Sequence, residues 1–138
     1  MGKILAINVG SVRGIDKTPV KEARIVEGWG LEGDAHGGNW DRQVSIFPVE
    51  ALEKYPNHIK DEALEGCPTE NITISGIPLE ALAVGKTLRL GEAEVRIMYI
   101  GKDKYKDEGR HYIVSREGRF CRVVRGGSVK IGDEAQVI

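Results

Sequence analysis

Short β-patterned runs, each stopped by glycine, constrain this chain more than any other feature. Eighteen of its 138 residues are glycine. The runs are Lys3–Asn8, Glu22–Val26, Gln43–Phe47, Asn71–Ser75, Thr87–Leu90, Glu94–Ile100, His111–Ser115, Arg119–Val124 and Glu134–Ile138. Between them stand Gly10-Ser11, the stretch from Gly28 to Gly38, Gly85, Gly91, Gly126-Gly127 and Gly132-Asp133. Many short strands with closely spaced turns predict a mainly β fold, a barrel or sandwich, in one domain over residues 1–138. A chain of this length is large enough to bury its own core.

Helices are expected to be few. Pro48 stands at an N1-like position, and apolar Val49, Leu52 and Tyr55 follow it before Pro56. That pattern predicts a helix over Pro48–Tyr55. A second helical or turn segment is expected at Ile59–Leu64. The tract Gly101–Arg110 carries seven charges in ten residues and reads as a surface loop.

The bulk composition excludes several roles. Formal net charge is −1, where a non-specific nucleic-acid binder is usually basic. Two cysteines, Cys67 and Cys121, make neither a disulfide scaffold nor a zinc cluster, and no metal-ligand motif is present. No apolar run approaches the roughly 20 residues of a membrane span, and the amino terminus lacks a signal pattern. The expectation is a cytoplasmic protein. Two Gln and four Asn against many Lys and Glu lean toward a thermophile source.

Four tracts offer chemistry. In GLEGDAHGGNWDRQVSI, from Gly30 to Ile46, glycines alternate with Asp34, His36, Arg42 and Gln43. Glycine lets a ligand approach the main chain, and the polar set supplies an acceptor, an imidazole, a guanidinium fork and an amide. The tract reads as one wall of an anion-friendly pocket. The second tract sets Glu70 beside Asn71 at the mouth of a strand, a carboxylate–amide pair able to read the edge of a pterin or purine ring. The third begins at Gly101-Lys102. In the fourth, RFCRVVRGG from Arg119, strand alternation separates Phe120, Arg122 and Val124 from Cys121, Val123 and Arg125, so one arginine is expected to point inward. His36, His58 and His111 are scattered, and no nucleophile–base spacing or phosphate-loop motif appears.

In order, these tracts resemble the MOSC domain, found at the carboxyl end of molybdenum-cofactor sulfurases and as small stand-alone bacterial proteins. The resemblance is carried by GLEGDAHGG at Gly30–Gly38, RQVSI at Arg42–Ile46, TENITISGI at Thr69–Ile77, VGKTLRLG at Val84–Gly91 and RFCRVVRGGSVKIGDE at Arg119–Glu134. It implies a MOSC-like β-barrel with one or two short helices and a pocket for molybdenum cofactor or molybdopterin. In this family a cysteine in a Gly-Lys-x-Cys-His-like stretch is proposed to carry sulfur as a persulfide. Here that stretch reads Gly101-Lys102-Asp103-Lys104-Tyr105, and lysine forms no persulfide. Thr69 and Cys121 also depart from the family pattern.

Three functions stay open. A binding module would hold a pterin-type ligand with Asp34, His36, Arg42, Gln43, Glu70, Asn71, Lys102 and an inward Arg122, the arginines pairing its phosphate. A sulfur carrier, or a reductase of N-hydroxylated bases, would use Cys121 or Cys67 as its catalytic thiol, provided that thiol is exposed and acidic. A degenerate adaptor would act in cofactor biosynthesis through a partner such as a molybdoenzyme or a cysteine desulfurase.

Overall fold

The structure is a computed structural model that describes residues 2–10, 18–34, 38, 43–54, 71–100 and 118–138. Among these residues the strands are β1 (Gly2–Val9), β2 (Thr18–Val20), β3 (Glu22–Val26), β4 (Gly30–Leu31), β5 (Val44–Pro48), β6 (Ile72–Ser75), β7 (Thr87–Leu90), β8 (Ala93–Ile100), β9 (Arg119–Arg125), β10 (Gly127–Lys130) and β11 (Glu134–Val137). The sheet runs β11-β7-β8-β9-β5-β6-β1-β2, and β11 also pairs with β1. That last pairing, Gly2 opposite Ala135 and Lys3 opposite Glu134, closes a seven-stranded barrel and leaves β2 as an appended edge. A second sheet, β10-β3-β4, packs beside it.

Strand alternation decides what fills the barrel. Ile4 and Ile7 of β1, Val44 and Ile46 of β5, Ile72 and Ile74 of β6, Leu88 and Leu90 of β7, Val95 and Ile97 of β8, and Cys121 and Val123 of β9 form one buried cluster. The interior is therefore packed aliphatic side chain, as expected for a barrel of this size. Residues between or beside them in sequence take the outer face, among them Asn8, Gln43, Ser45, Asn71, Arg96 and Arg122.

β5 is the exception to half-buried alternation. All five of its residues are buried, and it is parallel to β6 while the other pairings among the described strands are antiparallel. A strand buried on both faces needs cover outside the barrel as well as in it. Part of that cover is the glycine-rich tract that precedes β5. Gly30, at φ +130°, packs against the Gln43 carbonyl so closely that a Cβ would overlap its oxygen.

The expected helix after Pro48 takes a different form. Pro48 is the last residue of β5, opposite Ile74, and the chain then makes a 3₁₀ turn over Val49–Lys54. Six residues are too few for a self-sustaining α-helix, and the tighter i→i+3 bonds suit a short connection. The segments expected at Ile59–Leu64 and His111–Ser115 lie outside the described residues. A second 3₁₀ turn, Leu79–Ala81, and the strands β2, β4 and β10 have no counterpart in the sequence reading. Among the described residues, no helix is long and apolar enough to cross a membrane.

Gly28, in the β3–β4 turn, and Gly30, the first residue of β4, give a test. Gly28 has φ +77° and nothing within 4 Å of where a Cβ would stand, whereas a Cβ on Gly30 would meet backbone. Gly28→Ala is expected to cost about 1–2 kcal/mol, the left-handed penalty alone. Gly30→Ala is expected to cost clearly more, because β5 must move. Urea denaturation of the two variants checks the order.

Candidate ligand-binding site

Two of the polar tracts meet at the end of β1. Asp34, 1% exposed, accepts a hydrogen bond from the Gly10 amide at 3.0 Å. Asn71, also 1% exposed, donates its Nδ2 to the Asn8 carbonyl at 3.3 Å, while the Asn8 amide donates to the Asn71 carbonyl at 2.7 Å. Side chains far apart in sequence thus hold neighbouring main-chain groups at one end of β1.

Asn71 is tied to β5 as tightly as to β1. Its Oδ1 accepts from the Ser45 amide at 3.0 Å and from the Ser45 hydroxyl at 3.2 Å. The Ser45 Oγ accepts in return from the Asn71 amide at 2.9 Å. This reciprocal exchange stitches the start of β6 to the second residue of β5, next to where the parallel pairing begins. The side-chain amide of Asn71 thus ties the start of β6 to β5 and to β1. Glu70, its neighbour in sequence, lies outside the described residues.

Gln43 also serves as a clamp. Its Nε2 donates to the Gly38 carbonyl at 2.9 Å, and its Oε1 accepts from the Val123 amide at 2.8 Å. The Gly38 amide in turn donates to the Trp29 carbonyl at 2.9 Å. One side chain therefore pins the glycine-rich tract to β9. Gly38 has φ +140° and open space where a side chain would stand, which leaves its main chain approachable. His36 and Arg42, on either side of Gly38 in sequence, lie outside the described residues, as do Lys102, Lys104 and Cys67.

The arginines of β9 are arranged differently from the sequence expectation. Arg122 is half-buried on the outer face of the barrel, because Cys121 and Val123 take the inward positions. The buried arginine is Arg119, 4% exposed. Its Nε donates to the Leu82 carbonyl at 3.2 Å and its Nη2 to the Leu79 carbonyl at 3.3 Å. A buried guanidinium requires such acceptors. They belong to the second 3₁₀ turn and its cap, whose place beside β9 no local pattern encodes. The apolar residues Ile77, Leu79 and Leu82 were the available signal that this connection packs inward.

Cys121 is fully buried in the apolar cluster and its thiol lies 3.8 Å from the Arg119 carbonyl. A thiol so placed packs as a small hydrophobe and is closed to solvent in this structure.

The outer face carries the Arg122 guanidinium and, held by Gln43, an open glycine main chain, and no described group of three His, Cys, Asp or Glu has metal-site geometry. Phosphate matches such donors, since a guanidinium gives it two parallel bonds.

No family model matches the chain. It is 30% identical over 90 residues to the uncharacterized protein YflK of Bacillus subtilis, an overlap of 61% of this chain. The chain spans 40% of the length of that curated relative. Among solved structures, YuaD of Bacillus subtilis superposes with a TM-score of 0.69 at 20% identity, covering 99% of this chain and 96% of its own. YiiM of Escherichia coli superposes with a TM-score of 0.67 at 20% identity, covering all of this chain and 70% of its own. These neighbours share the fold and fit the MOSC-like barrel that the sequence resemblance implies.

Asn71→Ala is expected to lower stability by about 2–4 kcal/mol, because it strands the Ser45 amide and the Asn8 carbonyl in a buried setting. Ser45→Ala combined with it is expected to add less than its separate cost, since both members of one network are already gone. A double-mutant cycle in urea checks this.

Proposed function

We propose that this chain is a binding module for a phosphate-bearing pterin of the molybdopterin type, acting in the sulfuration, delivery or biosynthesis of molybdenum cofactor. The observation that carries this reading is the meeting of the Asp34 and Asn71 tracts on Asn8–Gly10 at the end of β1. The first of these stretches carries His36 and Arg42 in sequence, and the second carries Glu70. In this reading Arg42 and Arg122 pair the phosphate, Glu70 reads the ring edge, and Asp34, Gln43 and Asn71 hold the walls in place. The molybdenum cofactor, when bound, would supply its own redox chemistry, and the chain would orient and shield it.

The burial of Cys121 favours binding over sulfur transfer. A sulfur-carrier role would fall to Cys67, and an adaptor role would need no ligand at all.

Native mass spectrometry with molybdopterin and with the metal-bearing cofactor tests the module directly. Arg42→Ala is expected to weaken binding by about 1.5–3 kcal/mol, the range for hydrogen bonds to a charged group. Unchanged affinity would shift the balance to the adaptor. Incubation with a cysteine desulfurase and sulfur donor, followed by peptide mass mapping, is expected to leave Cys121 unlabelled in the folded protein. Rapid stoichiometric labelling of Cys121, lost in Cys121→Ser, would overturn the preference for binding.

A further inference from the structure

Trp29, in the turn between β3 and β4, is 45% exposed. Tryptophan is highly buried on average, so a side chain of this size left in solvent is informative when its main chain is held firmly. Here it is. The Trp29 amide donates to the Val26 carbonyl at 3.1 Å, and the Trp29 carbonyl accepts from the Gly38 amide at 2.9 Å. Gly38 is held in turn by Gln43, whose Oε1 accepts from the Val123 amide of β9. The same turn reaches the end of β1, because the Asp34 amide donates to the Leu31 carbonyl at 3.1 Å while the Asp34 Oδ1 accepts from the Gly10 amide. Trp29 therefore stands on the hydrogen-bonded frame that joins the glycine-rich tract to β1 and β9.

The frame around it is bare. Gly28, its neighbour in sequence, and Gly38, bonded to its carbonyl, both have open space where a Cβ would stand. Gly30, on its other side, has no room for one. Glycine at these places lets a ligand come close to the main chain beside the indole. A large aromatic next to bare main chain suits a single flat ring better than a protein surface, which needs a broad contiguous patch. An indole has only two side-chain torsions, so covering it costs little conformational entropy. Stacking on an aromatic face also tolerates many heterocycles, because each has a π-face.

We propose that Trp29 is the stacking platform for the heteroaromatic ring of a ligand bound at the glycine-rich tract. It acts as a binding residue, and the fixed turn sets its position before the ligand arrives. The proposal deepens the binding-module reading and rests on it only for the identity of the ring.

A pterin monophosphate and GMP are the probes, titrated by calorimetry, with inorganic pyrophosphate as the ligand that has no ring. Wild type is expected to bind the pterin saturably. Trp29→Ala and Trp29→Leu are each expected to lower that affinity roughly tenfold or more. Trp29→Phe is expected to keep most of it, because the ring face remains. Melting temperatures of Trp29→Leu and Trp29→Phe are expected to match, which separates lost stacking from lost folding. Any pyrophosphate binding is expected to be the same in wild type and Trp29→Ala. Pterin binding that is unchanged in Trp29→Ala, or equal in Trp29→Leu and Trp29→Phe, would overturn the platform and leave the pterin reading standing. Trp29-dependent binding of GMP without binding of the pterin would keep the platform and remove the pterin reading. Binding of neither ring would remove both.

Discussion

Ser45 and Asn71 exchange hydrogen bonds through main chain and side chain at once, and the outer face of the barrel is organised around that exchange. It sits where β5 and β6 begin to run parallel, the single parallel pairing among the described strands. Through its Nδ2, Asn71 extends the same tie to β1. Three strands are thereby fixed in relative register by one amide. Buried polar groups specify geometry well when every partner is supplied, and are costly when one is missing.

That arrangement separates the work of the two faces. The inside of the barrel is aliphatic and closed, and it supplies cohesion. The outside of β1, β6, β5 and β9 holds the polar groups from which the proposed recognition is built. Arg119 belongs to the first task although it is charged, because its guanidinium ties a 3₁₀ turn to the start of β9. Arg122, three residues on, lies on the outer face beside the second. A single strand therefore carries two arginines in unlike settings, one spent on main-chain carbonyls and one set opposite another arginine.

The strands were largely legible because their apolar residues alternate or cluster between glycines. Glu22–Val26 and Thr87–Leu90 coincide with β3 and β7, and the limits of β1, β5, β6, β8, β9 and β11 shift by a residue or so. β4 was hidden because it is two residues long inside a glycine-rich tract. β10 was hidden because Gly126-Gly127 looks like a turn. In the structure a Cβ on Gly126 would meet the Ile25 carbonyl at 2.9 Å, and one on Gly127 would meet the Glu92 backbone at 2.7 Å. The pair is the point where the chain passes from the barrel to the second sheet through a gap too narrow for side chains. Asp34, Gln43 and Asn71 were identifiable as polar residues at strand ends, yet their partners were not. Each bonds to main chain far away in sequence, which no local pattern encodes. The inward arginine is Arg119 and not Arg122 for the same reason, since Phe120 and Val124 on one face and Cys121 and Val123 on the other do not by themselves say which face is the interior.

The seam between β1 and β11 has a consequence for how such a chain reaches its native form. Gly2 finds Ala135, and Lys3 finds Glu134, across nearly the full span of the polypeptide. Long-range pairings of this kind demand that loop-closure entropy be met before their contacts form, and they slow folding. On the ribosome, the Gly2–Lys3 end of β1 would wait for its β11 partners until β11 has emerged. β1 also pairs with β2 and β6, so an early three-stranded intermediate is available in which it is already held while the ring stands open.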